Sequence, residues 1–199
     1  MSSPVVGYVF GYGSLADPSD WLIAPRSDLP NGVYGTLDGF CRHWDVALRN
    51  DDSIHDHKYY RDADSGERVE GFVATLGVQR ETGRSCNGVA VPVDSDLLAK
   101  FDKREGLLYD RSEDVSASFS EPLGKPLWVY VPRQGALDAF EKGLSTHSVW
   151  LPVDYYERVR DVFSRLDERG LQQFEESTPE PRCPLRRLEL HRAPGELGI

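Results

Sequence analysis

The sequence predicts an α+β protein built on a mixed, barrel-like sheet, and three observations carry that reading. Apolar and β-branched runs bounded by glycine or proline outnumber helical patterns, strands and helices do not alternate strictly, and only two helices stand out clearly. A doubly wound fold would require that alternation. At 199 residues the chain has the size of one domain with a substantial core. The expected organisation is a domain over residues 1–178 followed by a loosely ordered tail over 179–199.

Val5 to Phe10 reads as a buried strand that runs into a glycine turn. Pro18 and Pro25 then forbid a long helix. From Val33 to Leu48 partial alternation broken by Gly35 and Gly39 suggests a bent or bulged strand pair, and the polar stretch Arg49 to Arg68 an exposed excursion. Further strands are expected at Gly71–Leu76, Gly88–Val93, Asp114–Phe119 and Leu127–Val131. The clear helices are Ser95–Glu105 and Asp154–Arg169, the latter stopped by Gly170, with a shorter one over Ala136–Gly143.

Composition narrows the function. A formal charge of −10 opposes binding to a phosphate backbone, and the basic cluster Arg182, Arg186, Arg187, His191 and Arg192 reads as a solvated or packed tail. No apolar run approaches the length of a membrane span. The opening MSSPVVGYVFGYGSL lacks a basic leader and a cleavage signature, so a cytoplasmic protein is expected. Three widely spaced cysteines, Cys41, Cys86 and Cys183, argue for reduced, structural thiols without a disulfide framework or a zinc site. His55-Asp56-His57 has no further ligand at a supporting spacing and reads as a polar loop, so no metal is expected.

Three features are left to carry chemistry on a small polar ligand. The first is Gly11-Tyr12-Gly13-Ser14-Leu15, where close glycines permit a tight turn whose N–H groups suit a carboxylate or carbonyl oxygen. With Ala16 it also spells the weak dinucleotide fingerprint, but Pro18 and Pro25 leave no room for the helix that fingerprint needs. Ser14 is not framed as a nucleophile elbow. The second is Glu105. With Leu97 at zero, Leu98, Phe101 and Glu105 fall at about 100, 40 and 80 degrees, so this carboxylate shares the apolar face of its helix. Burial and the negative helix end would both raise its pKa; the alternative is structural pairing with Arg104 or Arg111. The third is a set of tyrosines at element ends, Tyr109, Tyr130 and Tyr156, each able to offer a hydroxyl or simply to pack the core.

Together VFGYGSL, DKREGLLYDR and PVDYY, in that order and spacing, resemble the gamma-glutamyl cyclotransferase family over roughly Val9 to Ser177. GYGSL with Arg-Glu is similar to the glutathione-directed branch, and LPVDYYERV to bacterial enzymes acting on free gamma-glutamyl compounds, so the branch stays open. The resemblance implies a mixed β-barrel flanked by helices, no metal or organic cofactor, and a small gamma-glutamyl substrate. Within it Tyr12, Gly13, Ser14 and Leu15 match the substrate loop, Glu105 the catalytic glutamate, and Tyr109, Tyr130 and Tyr156 pocket tyrosines. The implied reaction is attack of the substrate's α-amine on its own γ-carbonyl, giving 5-oxoproline. A non-catalytic binding module on the same fold is the alternative. The long charged stretch 49–68 and Leu107-Leu108 depart from the family pattern and bear on substrate choice.

Overall fold

A computed structural model describes residues 4–17, 31–51, 58–113 and 115–192. Pro18, Pro25, the His55–His57 triplet and the end of the tail from 193 lie outside the described residues. The first strand, β1 (Gly7–Gly11), is buried at its centre because Val9 and Phe10 are wholly apolar and flanked by strands on both sides.

β2 (Val33–Arg49), β3 (Lys58–Asp62) and β4 (Phe72–Val93) follow. The sequence suggests a strand pair over 33–48 and two strands within 71–93, but each region is one continuous strand, and the two pair antiparallel from Val33 opposite Ala90 to Arg49 opposite Phe72. The misreading has a physical cause. The register jumps between Asp38 and Phe40, where Gly39 (φ 77°) on β2 and Gly83 (φ 79°) on β4 take left-handed conformations. These glycines bend the ladder without ending it, while the exposed polar stretch from Arg80 to Ser85 hides the continuity of β4.

α1 (Ser95–Glu105) has the boundaries its pattern predicts: the Leu97 N–H donates to the Asp94 side chain at 2.8 Å, and Leu97 and Phe101 are buried. Then come β5 (Tyr109–Ser112), β6 (Ser116–Phe119), β7 (Leu127–Pro132), α2 (Gln134–Ser145), β8 (Val149–Pro152) and α3 (Val153–Leu166). α4 (Gly170–Glu176) opens on the glycine expected to stop the previous helix. A Cβ at Gly170 would lie 2.3 Å from the Phe163 carbonyl oxygen, so the glycine lets two helices approach closely.

The main sheet runs β5–β7–β1–β4–β2–β6, with β8 parallel to the start of β4. It curls into a half-barrel with four helices among the described residues, an α+β arrangement. The remaining strands, β9 (Leu185–Arg186) and β10 (Leu188–Arg192), belong to the segment expected as a loose tail. β9 pairs with β8, and β10 with β3. Of the two readings of the basic cluster, solvated or packed, the arginines follow the second: Arg186 meets Asp62 at 2.8 Å, Arg187 meets Asp64 at 3.0 Å, and Arg182 meets Glu141 at 2.6 Å. No helix among the described residues is long and apolar enough to cross a membrane.

Candidate active site

The turn after β1 folds back on itself because Gly11 has no side chain. A Cβ there would lie 2.6 Å from Ala16 N and 2.7 Å from the Leu15 carbonyl group. A single 3-10 turn, Ser14–Ala16, follows, closed by Ala16 N–H donating to Gly13 O at 2.9 Å and Asp17 N–H to Ser14 O at 3.1 Å. The N–H groups of Gly13 and Ser14 make no such bond. Tyr12 and Ser14 are buried, and Leu15 packs on the core.

Gly13 faces β4 and α3. Its missing Cβ would stand 3.2 Å from Leu76 Cδ2 and 4.0 Å from the Tyr155 hydroxyl. The backbone of Leu76 is a junction for two tyrosines: the Tyr109 hydroxyl donates to its carbonyl at 2.8 Å, and its N–H donates to the Tyr155 hydroxyl at 3.4 Å. The Tyr12 hydroxyl donates to the Tyr130 carbonyl at 2.8 Å. In this way main-chain atoms of β4 and β7 hold phenols contributed by the turn, β5 and α3.

Glu105 ends α1 on the side of these phenols. Its side chain is only 14% exposed, out of bulk solvent, and Arg104 Nε lies 3.1 Å from its carboxylate. Arg111, the other candidate partner, instead pairs with Asp102 at 2.8 Å. Burial holds the Tyr12 and Tyr109 phenols well above the ordinary tyrosine range, and the Glu105 charge pushes both further up. Tyr155 and Tyr130 are raised chiefly by burial too, and Glu105 acts on each. The glycine turn and the carboxylate therefore lie within electrostatic reach of one another around a common set of phenols.

Of the predicted tyrosines, Tyr109 joins this cluster through its hydroxyl. Tyr130 joins it through its carbonyl, since its own hydroxyl donates to Asp102 at 2.8 Å. Tyr156 does not join it: its ring packs 5.1 Å from that of Trp44, and Arg160 lies over it. The neighbouring Tyr155 takes the place next to Gly13. Adjacent helical residues differ by about 100 degrees, so choosing between the two tyrosines of PVDYY required the helix phase, which its first turn alone does not fix.

Sequence reasoning missed Arg42 altogether. It is fully buried, and its guanidinium lies between the rings of Phe163 and Phe174, 4.7 and 4.6 Å from their centroids. Each of its five N–H groups has an acceptor: Tyr12 O at 2.9 Å from Nε, Ser177 Oγ at 2.6 Å and Thr178 Oγ1 at 3.3 Å from Nη1, and the backbone and side-chain oxygens of Asn87 from Nη2. All five are neutral. No carboxylate among the described residues pairs with this cation, and burial lowers its pKa. The available signal was its place inside an alternating strand, where an even-numbered charge flanked by Phe40 and Trp44 shares their buried face.

Cys41, His43 and Glu81 place one donor atom each within 4.8 Å of one another. The position a metal ion would occupy there is contested by Arg84, which sits 3.7 Å from the Cys41 sulfur and 3.9 Å from the Glu81 carboxylate. All three cysteines are free and buried. A separate cavity of about 360 Å³ beneath Phe119 and Leu127 includes none of the tyrosine cluster.

The sequence profile described as Gamma-glutamyl cyclotransferase, AIG2-like, matches residues 32–152, a span that contains Arg42, Glu105, Tyr109 and Tyr130 and begins after the glycine turn. Among solved structures, a yeast gamma glutamyl cyclotransferase specific to glutathione shares the fold with a TM-score of 0.50 and 15% identity, over 88% of this chain and 98% of that one. An Arabidopsis thaliana protein solved in solution gives 0.42 and 22%, over 79% and 91%. An uncharacterized Homo sapiens protein gives 0.39 and 18%, over 77% and 86%. No curated protein sequence matches the chain.

Proposed function

The chain belongs to the gamma-glutamyl cyclotransferase, AIG2-like family, and on that premise we propose that it releases 5-oxoproline from a gamma-glutamyl compound by intramolecular aminolysis. The substrate's α-amine attacks its own γ-carbonyl carbon, the five-membered ring closes, and the C–N bond to the leaving amine or peptide breaks. The observation that carries this reading is a shielded carboxylate, Glu105, within electrostatic reach of a glycine-rich turn.

Glu105 takes a proton from the α-ammonium, which is otherwise not nucleophilic, and gives it to the departing nitrogen; the second proton that the ring nitrogen sheds as the new amide forms passes to the released amine, which leaves as its ammonium. General acid–base help of this kind contributes about 10² to 10⁴ in rate. The turn adds to this by holding the substrate folded so that amine and carbonyl meet at attack distance. The Gly13 and Ser14 N–H groups, free of the turn's own bonds, hold the carboxylate and the carbonyl oxygen and stabilise the charge that develops there. Tyr12, Tyr109 and Tyr155 wall the site, the first two with their hydroxyl protons committed to main-chain carbonyls.

The test is Glu105→Gln assayed for 5-oxoproline with glutathione, gamma-glutamyl amino acids and gamma-glutamyl amines. Turnover should fall by at least about 10²-fold while substrate still binds. Wild-type turnover in the variant removes Glu105 from the mechanism, and no product from any substrate with the wild type makes the chain a binding module.

A further inference from the structure

Arg42 lies outside the machinery assigned above, yet it touches the turn at the atom that decides where the turn's donors aim. In a trans peptide unit the C=O and the following N–H point in opposite directions. Arg42 Nε holds the Tyr12 carbonyl at 2.9 Å, so the Gly13 N–H of the same peptide points away from the guanidinium. Phe163 and Phe174 clamp the guanidinium from both faces, and Ser177, Thr178 and Asn87 fix its plane. The peptide plane is thereby fixed too.

The charge matters as much as the geometry. A buried cation is normally paired with an anion, because taking it out of water is costly and neutral acceptors offset only part of that cost. Arg42 has five neutral acceptors and no carboxylate among the described residues. Its field passes through one polarised peptide to a donor that faces the ligand, and a hydrogen bond to a carbonyl strengthens the donor at the other end of the amide.

We propose that Arg42 is a positioning residue whose buried charge, relayed through the Tyr12–Gly13 peptide, selects a substrate carrying a carboxylate at the Gly13 N–H. The substrate's carboxylate is the missing counter-ion of the guanidinium, held one peptide away from it. The inference rests on reading residues 11–15 as the substrate's seat, and it adds why that seat prefers an acid over the isosteric amide.

The experiment cancels the charge while keeping the turn's support. Asn87→Asp puts a carboxylate where Asn87 Oδ1 accepts from Arg42, leaving the bond to the Tyr12 carbonyl in place. The probes are 5-oxoproline and its primary amide, bound by titration calorimetry, together with KM and kcat for a gamma-glutamyl substrate. Wild-type protein should bind the acid about ten- to a hundredfold more tightly than the amide, the range of a charge-assisted hydrogen bond. In Asn87→Asp that ratio should fall about tenfold or more, with KM rising, while the amide binds as before. A structural role for Arg42 would weaken both probes together, and equal weakening or an unmoved ratio overturns the proposal.

Asn87 also donates to the Tyr34 hydroxyl at 2.8 Å and to the Gly170 carbonyl at 2.9 Å, so the variant loses support. Should it fail to fold, Arg42→Lys, which keeps the charge, must retain the preference for the acid, and Arg42→Gln must lose it; equal preference in the two overturns the proposal. Wild-type protein that binds neither probe and releases no 5-oxoproline defeats the reading of the seat itself, whereas an acid preference that survives every variant defeats only the role of Arg42.

Discussion

Two glycine-to-alanine substitutions should move this protein in opposite directions, and the sign follows from what each new methyl group meets. At Gly11 the Cβ would lie 2.6 Å from Ala16 N and 2.7 Å from the Leu15 carbonyl group, all main chain and unable to rotate away. To reach ordinary contact near 3.4 Å the turn must recede by about 0.7 Å. Overpacking of that order costs about 1–3 kcal/mol, which for a chain this long lowers Tm by roughly 2–12 °C. The functional loss should be larger. The Gly13 and Ser14 donors ride on the displaced turn while Glu105, on α1, stays put, and a misplacement approaching 1 Å costs about 10²-fold. At Gly135, inside α2, nothing lies within 4 Å of the new methyl, so alanine gains helix propensity of up to about 1 kcal/mol and raises Tm by a few degrees. Thermal unfolding by circular dichroism and 5-oxoproline release on the two variants decide the matter. A Gly11→Ala protein with wild-type Tm and turnover would mean that the turn is not closed against Ala16, and the geometry argued for the site would fail with it.

Two carboxylates give pH predictions of opposite sign. Burial raises the pKa of Asp45, whose Oδ1 has no partner among the described residues. An acid with a raised folded-state pKa costs stability once ionised, so stability contributed by the neutral form is lost as pH climbs from near 3.8 through the raised value; Asp45→Asn should therefore raise Tm more at pH 7 than at pH 4, and a uniform shift would refute it. Asp62 is the reverse case: N–H groups of Ser65 and Asp64 and the Arg186 guanidinium hold its pKa down at about 2. Its contribution is complete above 3.8 and lost as pH falls through about 2, so acid should loosen the β3–β10 pair over that window. Asp62→Asn should loosen it already at pH 7, read as faster hydrogen exchange over residues 185–192; unchanged protection would show that the clip does not depend on this carboxylate.

Local signals were legible where chemistry and periodicity agree within one turn of chain. Asp94 before Leu97 and Phe101 marks both the start of α1 and the inward face that Glu105 shares. The glycines at 11 and 13 announce a close turn, and at Gly11 main-chain atoms of Leu15 and Ala16 require it. What stayed hidden depends on partners far along the chain. Arg42 carries no signal beyond its place in the alternation of the strand, and its role shows only when Phe163, Phe174, Asn87 and Ser177, from β4, α3 and the end of α4, converge on it. The arginines at 182, 186 and 187 leave solvated and packed readings open because their acids, Glu141, Asp62 and Asp64, are at least forty positions away.

The site has a further property that no pattern of side chains could announce. Tyr12 is fixed by the Tyr130 carbonyl, Tyr109 by the Leu76 carbonyl, Tyr155 by the Leu76 N–H, and the turn itself by Arg42 on the Tyr12 carbonyl. Every one of these bonds has a main-chain atom on one side, so the identity of residues 76 and 130 matters less than the path of their strands. That path is set by the curl of the sheet, which depends on the paired bend at Gly39 and Gly83 and on the length of β4. A half-barrel that holds its phenols by backbone can change the residues around the pocket, and with them its choice of leaving group, without disturbing the turn or the carboxylate that the proposed reaction needs. The departure at 107–108 is of this kind: it lies on the connection between α1 and β5, just past Glu105, while at Gly11 the main chain itself leaves no room for a side chain.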